Sequence, residues 1–171
     1  MNTFYVQRTF WKLVISLVSL WRFFMIKTDR INAYLVAPGA MLPFQELNSY
    51  IKQCGLSSDL IELIKIRVSQ LNGCAYCLQL HTKEAREQGE SEERIYLLSA
   101  WRESNLYTKR EQAALEWAET LTFISDNHVT DHLYDKMRKL FEERELTDLT
   151  ALIGLVNSWN RFAISFKYKY S

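Results

Sequence analysis

Apolar residues recur at helical spacing along most of this chain. Leu60, Leu63, Ile64, Val68 and Leu71 share one face of a helix, with Arg67 among them. Ser57 or Ser58 is placed to cap it and Asn72-Gly73 to end it. A second helix is expected over 74–88, with Gly89 just past its end, and a short one over 91–100. Thr108-Lys109-Arg110-Glu111 has the capping-box form and opens a helix to about residue 123. Two more are predicted over 131–143, with Leu133, Met137, Leu140 and Phe141 inward, and over 147–168. Upstream, Pro38-Gly39 and Pro43 predict a looped lead-in over 29–43, followed by a helix over 44–53. No useful stretch alternates with period two, so the pattern predicts an all-α bundle of six to eight helices. Residues 149–166 are apolar around much of the helix, as expected for a core element or a subunit interface, and a homo-oligomer is expected.

Composition supports this reading. The 171 residues are 48% hydrophobic, enough for one buried core. Lys and Arg number 21 against 20 Asp and Glu, so there is no basic footprint of the kind nucleic acid selects. Both prolines precede residue 44, which leaves a long stretch free of the strongest helix breaker. Three cysteines are too few and too unevenly placed for a secreted disulfide scaffold, and a cytoplasmic location is expected.

Charge separates the N-terminal segment from the rest. Residues 1–28 carry Arg8, Lys12, Arg22 and Lys27 and no acid, which sets them apart as an extension from a body over 29–171. Within 4–26, Arg8, Lys12, Ser16 and Ser19 fall on one helical face, opposite Phe4, Trp11, Val14, Val18 and Trp21. The largely apolar run 13–20 is shorter than a bilayer span and Arg22 closes it, so no transmembrane helix is predicted. No small-x-small cleavage site follows, which counts against a signal peptide. The segment reads as an amphipathic helix packing on the body or a neighbouring subunit. A membrane-surface contact and a true start nearer Met25 are the other readings.

The chemistry concentrates in Glu62-x11-Cys74-x2-Cys77-x3-His81. On a helix starting near Cys74, positions 74, 77 and 81 lie at i, i+3 and i+7 and stack on one face. A chain reversal at Asn72-Gly73 returns Glu62, three turns back, toward the imidazole. A thiolate is the nucleophile, and a helix N-terminus, a histidine and a Cys-x-x-Cys pair each lower a thiol's pKa. A thiolate that attacks a peroxide becomes a sulfenic acid, which a neighbouring thiol condenses to a disulfide. The helix dipole favours the thiolate at Cys74, whereas His81 at i+4 favours Cys77. Three other readings stay open: a zinc site on the dithiol and His81 completed by Cys54 or an acid, a structural dithiol, and a redox-sensing module without turnover. A c-type haem attachment is excluded because Leu78 follows Cys77.

This motif resembles the active-site signature of the alkylhydroperoxidase D-like members of the carboxymuconolactone decarboxylase superfamily. Arg30-Ile31-Asn32 with Ala37-Pro38, and Asn157-Ser158-Trp159-Asn160-Arg161, are similar to the family's opening and last helix, so the resemblance spans 29–171. It implies an oligomeric all-helical antioxidant enzyme that reduces hydroperoxides. Glu62 and His81 would activate Cys77 for attack, and Cys74 would donate a proton and resolve the intermediate as a Cys74–Cys77 disulfide. It implies no bound cofactor and no metal ligands, but an external dithiol reductant of thioredoxin-like or lipoyl type. Tyr76 stands where one well-known subgroup has a second histidine between the cysteines, which argues against that subgroup's lipoyl-linked reductant. Decarboxylase members generally lack the cysteine pair, so decarboxylation is not expected.

The remaining candidates receive structural readings. Cys54 is expected to be a buried thiol, and His128 and His132 surface or capping residues. Glu142, Glu143 and Glu145 read as a solvated face, and Trp101, Trp117 and Trp159 as core. Asn157, Asn160 and Arg161 lie on an otherwise apolar helix and are expected to form a polar network.

Overall fold

The computed structural model describes residues 26–170, and the predicted amphipathic helix over 4–26 therefore falls almost wholly outside the described residues. Among the described residues eight α-helices follow one another: α1 (Ala33–Val36), α2 (Pro38–Ile51), α3 (Ser58–Asn72), α4 (Ala75–Glu87), α5 (Glu92–Leu97), α6 (Lys109–Thr122), α7 (Asp131–Leu140) and α8 (Glu143–Ser165). A 3₁₀ turn over Leu98–Glu103 continues α5. The sole extended pairing among the described residues is an isolated antiparallel bridge between Lys27 and Lys169. The all-α expectation and the number of helices agree with this architecture.

Helix α3 runs through the centre, packed against α4, α6 and α8. Leu63, Ile64, Ile66 and Val68 are fully buried there, and Leu149, Leu152 and Ile153 of α8 meet them in the main core. Each such side chain is worth roughly 1.5–3 kcal/mol relative to exposure. Trp101 and Trp117 are core residues as expected, with their indole N–H groups donating to Glu119 (2.8 Å) and Thr150 (3.1 Å). Trp159 is half-buried against the core. No helix among the described residues is long and apolar enough to cross a membrane.

Several boundaries differ from the sequence reading. The expected loop over 29–43 is largely helical. Asn32 caps α1 by accepting from the Tyr34 amide (3.1 Å), and Pro38 begins α2 at a position where a missing N–H costs nothing. Pro43 lies inside α2 near its start, where it removes only one intrahelical bond. Ser57 stands at the N-cap of α3 but makes no side-chain capping bond. The helix expected over 131–143 stops at Leu140 because Phe141 becomes extended and turns its ring into the core. Helix α8 then starts four residues before the expected 147. Glu142 is exposed, as expected of a solvated acidic face, and is also the N-cap of α8, with the Glu145 carboxylate accepting from the Glu142 amide (3.0 Å). The 91–100 helix is divided into α5 and the 3₁₀ turn, with Ala100 at non-helical angles.

Candidate active site

The turn between α3 and α4 sets the geometry. Gly73 adopts φ +68°, its amide donates to Gln70 O (3.2 Å), and the Cys74 amide donates to Ser69 O (3.0 Å). These are the two bonds of a Schellman turn. Cys74 thus ends one helix and caps the next: its sulfur accepts from the Cys77 amide at 3.4 Å. The helix N-terminus that attracts a thiolate is accordingly aimed at Cys74.

Helix α8 fixes this turn with amide side chains. The Asn72 amide group donates to Asn157 (3.0 Å) and Asn160 (2.9 Å), Asn160 donates to Ser69 (3.1 Å), and Asn157 donates to Thr122 on α6 (3.1 Å). Arg161 donates to the Asn157 carbonyl (2.7 Å). Asn160 is 1% exposed, so its bonds satisfy a group that would otherwise be stranded. The expected network exists, and its place is at the foot of the cysteine turn.

Of the residues singled out in the sequence, Glu62 and His81 meet across α3 and α4. Nδ1 of His81 lies 3.5 Å from Glu62 Oε2. Two residues that the sequence reading missed complete the cluster. Lys65, 4% exposed, donates to Glu62 Oε1 at 2.7 Å, and Glu84 Oε2 lies 3.2 Å from His81 Nδ1. Burial pushes the Glu62 carboxyl up, but His81 and Lys65 outweigh it and hold the group below its ordinary value. Both missed residues had a signal at i+3: Lys65 from Glu62 on a face of apolar residues, and Glu84 from His81.

Cys74 and Cys77 are joined as a disulfide, with Cα atoms 5.3 Å apart. They are 1% and 3% exposed and belong to a small hydrophobic cluster separate from the main core, with Ala163, Tyr168, Ile26, Tyr34, Tyr76 and Phe166. The Tyr76 ring, between the cysteines in sequence, packs edge-on against Tyr168 at 5.8 Å. The tail reaches this position through a second Schellman turn after α8, in which Lys167 has φ +51° and the Tyr168 amide donates to Ala163 O (2.9 Å). The Lys169 amide donates to Lys27 O (2.9 Å), and Thr28 bonds the Phe166 carbonyl. Cys54 is buried as expected but lies in the main core, so the structure does not bring it to the other two cysteines. His128 and His132 are exposed.

An open cavity of about 420 Å³ meets the carboxylate end of this arrangement, lined by Lys52, Ser58, Glu62, Lys65, Glu84 and Gln88 among others. Neither cysteine lines it. The carboxylates of the polar cluster therefore face the cavity, while the cysteines lie in the separate aromatic cluster.

Residues 38–120 match the carboxymuconolactone decarboxylase family. The uncharacterised Bacillus subtilis protein YdfG is 44% identical over 138 residues, which are 81% of this chain and 94% of YdfG. The chain belongs to the carboxymuconolactone decarboxylase family. A solved Agrobacterium tumefaciens protein of unknown function, a candidate antioxidant defence protein AhpD, superposes with a TM-score of 0.80 at 39% identity. It covers 85% of this chain and 99% of its own. A debrominase in complex with 2,3,4-tribromopyrrole shares the fold, with a TM-score of 0.70 at 17% identity over 89% of this chain and 81% of its own. The fold of this member is thus AhpD-like.

Proposed function

We propose that this family member is a thiol-dependent hydroperoxide reductase. The observation that carries the reading is the contact of Glu62 with His81, on the helix that carries Cys77 one turn earlier. In the reduced enzyme, His81, oriented by Glu62, accepts the Cys77 proton. The Cys77 thiolate attacks the peroxide ROOH and the O–O bond breaks; the departing alkoxide takes the Cys74 proton, which His81 replaces with the one it accepted, and leaves as ROH with a sulfenic acid on Cys77. The Cys74 thiol attacks that sulfur, water leaves, and the Cys74–Cys77 disulfide forms. Overall, ROOH and two thiols give ROH, water and a disulfide. An external dithiol of thioredoxin-like or lipoyl type reopens the disulfide by exchange, and no bound cofactor takes part. We place the enzyme in the cytoplasm as a homo-oligomer.

The test is steady-state consumption of an organic hydroperoxide with a dithiol as reductant. Wild-type protein is expected to turn over, Cys77→Ser to be inactive, and Cys74→Ser to react once without forming an intramolecular disulfide. His81→Ala is expected to lose about 100-fold in rate, the usual scale of general acid–base catalysis. Full turnover by Cys77→Ser overturns the assignment. Bromide release from 2,3,4-tribromopyrrole without peroxide consumption replaces it with reductive debromination.

A further inference from the structure

We propose that Glu62, His81 and Glu84 form a binding site for a divalent transition metal ion of the zinc class, at the cavity end of the cluster. The three side chains offer one imidazole nitrogen and two carboxylate oxygens, all within 4.8 Å of one another. Glu84 Oε2 and Glu62 Oε2 lie 3.2 and 3.5 Å from His81 Nδ1. Ligands about 2.0–2.1 Å from a tetrahedral zinc ion are roughly 3.3 Å apart, so two of the three edges already have the required length. The third closes by a small movement of Glu84, whose side chain is the most exposed of the three at 22%.

The Glu62 carboxylate is the strongest sign that the place awaits a cation. Its side chain is 7% exposed; Oε1 is held by Lys65 at 2.7 Å, while the buried Oε2 has only the long 3.5 Å contact with His81 Nδ1. A buried carboxylate oxygen held by so long a contact is under-satisfied, and an ion between it and the imidazole would satisfy both. Lys65 keeps to Oε1, which leaves the Oε2 lone pairs facing His81 and Glu84. Among the described residues of the cluster, the Glu62 and Glu84 carboxylates stand with the one ammonium of Lys65, and the adjoining cavity has room for water as a fourth ligand. Three protein ligands with one open position is the pattern of accessible zinc sites, and imidazole with carboxylate suits this class of ion. This site uses neither cysteine, unlike the thiol-based zinc site considered from sequence.

Occupancy would silence the proposed relay. A metal on Nδ1 leaves the imidazole with its one proton on Nε2, where it cannot accept another from a thiol. This consequence rests on the function proposed above, whereas the binding itself does not.

The decisive experiment titrates Zn²⁺ into the full chain in its disulfide form, so that Cys74 and Cys77 cannot ligate, and follows binding by calorimetry and coordination by X-ray absorption. One zinc per chain with a nitrogen and oxygen shell is expected. Loss of an outer-shell partner already weakens metal sites about 10–100-fold, so Glu84→Gln and His81→Gln, each checked by circular dichroism, are expected to lose more than about 100-fold. Glu87→Gln, exposed at the same cavity, should bind as wild type. Absence of binding, sulfur in the shell, or unchanged affinity in both ligand variants overturns the site. Zinc binding in a protein that never consumes peroxide keeps the metal site and rejects the peroxidase. Peroxide turnover without zinc binding does the reverse.

Discussion

Lys65 occupies an unusual position for a lysine: it is buried, and its ammonium is paired with the carboxylate oriented toward His81. Glu62→Gln therefore does two things at once, removing the charge that orients His81 and stranding a buried cation. Stranding one partner of a buried pair costs about 3–5 kcal/mol. Urea unfolding of Glu62→Gln should show a loss near the lower end of that range. Glu62→Gln combined with Lys65→Met should recover most of the stability while peroxide turnover stays low. Recovery of both would mean that the carboxylate acts only as a structural partner. At this scale the sequence was informative where spacing made the chemistry visible, as for Glu62, Cys74, Cys77 and His81. It was less so for Lys65 and Glu84, whose charges look like ordinary helix-surface residues until α3 and α4 are packed together.

Local capping chemistry explains which elements were legible. The Thr108 capping box is present as read: the Glu111 amide donates to the Thr108 hydroxyl (3.2 Å), and the Glu111 carboxylate accepts from the Thr108 amide (2.7 Å). Thr108→Ala should cost about 1 kcal/mol in thermal or urea unfolding. Gly73 was likewise readable as a helix stop, and its positive φ makes Gly73→Ala destabilising by at least about 1 kcal/mol. Because Gly73 aims the amides that organise Cys74, the same variant should also lower the rate of thiol alkylation in the reduced protein. The two prolines suggest a loop, yet Pro38 stands at the first helical position, where it costs nothing, and Pro43 removes a single intrahelical bond that the 14-residue α2 does without. Phe141 misleads in a different way. Its apolar character continues the helical period, yet its ring enters the core from an extended backbone, with the Arg110 guanidinium 3.9 Å above it.

Across the whole molecule, charged groups at the junctions of helices should govern the response to acid. Glu119 on α6 accepts from Trp101 (2.8 Å), Arg102 (2.5 Å) and Arg67 (2.7 Å). Burial raises its pKa, but these donors prevail and hold it below the ordinary 4.5. The folded state therefore binds the proton less readily than the unfolded chain. The stabilisation is complete above the unfolded value and is lost as pH falls through the lower folded value. Glu119→Gln should cost about 2 kcal/mol at neutral pH and flatten the decline in unfolding free energy as pH falls below the unfolded carboxylate range, measured by urea titration at each pH. The all-helical architecture was legible because periodicity and a proline-free stretch both reflect local preferences. The aromatic enclosure of the cysteines was not, because it joins Tyr34, Tyr76 and Tyr168 from three distant parts of the chain.

That enclosure stands apart from the main core, and α8 contributes to both. Tyr76 and Tyr168 meet each other edge-on beside the cysteines, whereas Tyr34 stacks on Trp159 at 5.8 Å and so ties the enclosure to the main core through α8. A change at Tyr34 is therefore expected to be felt in both clusters, and one at Tyr76 chiefly beside the sulfurs.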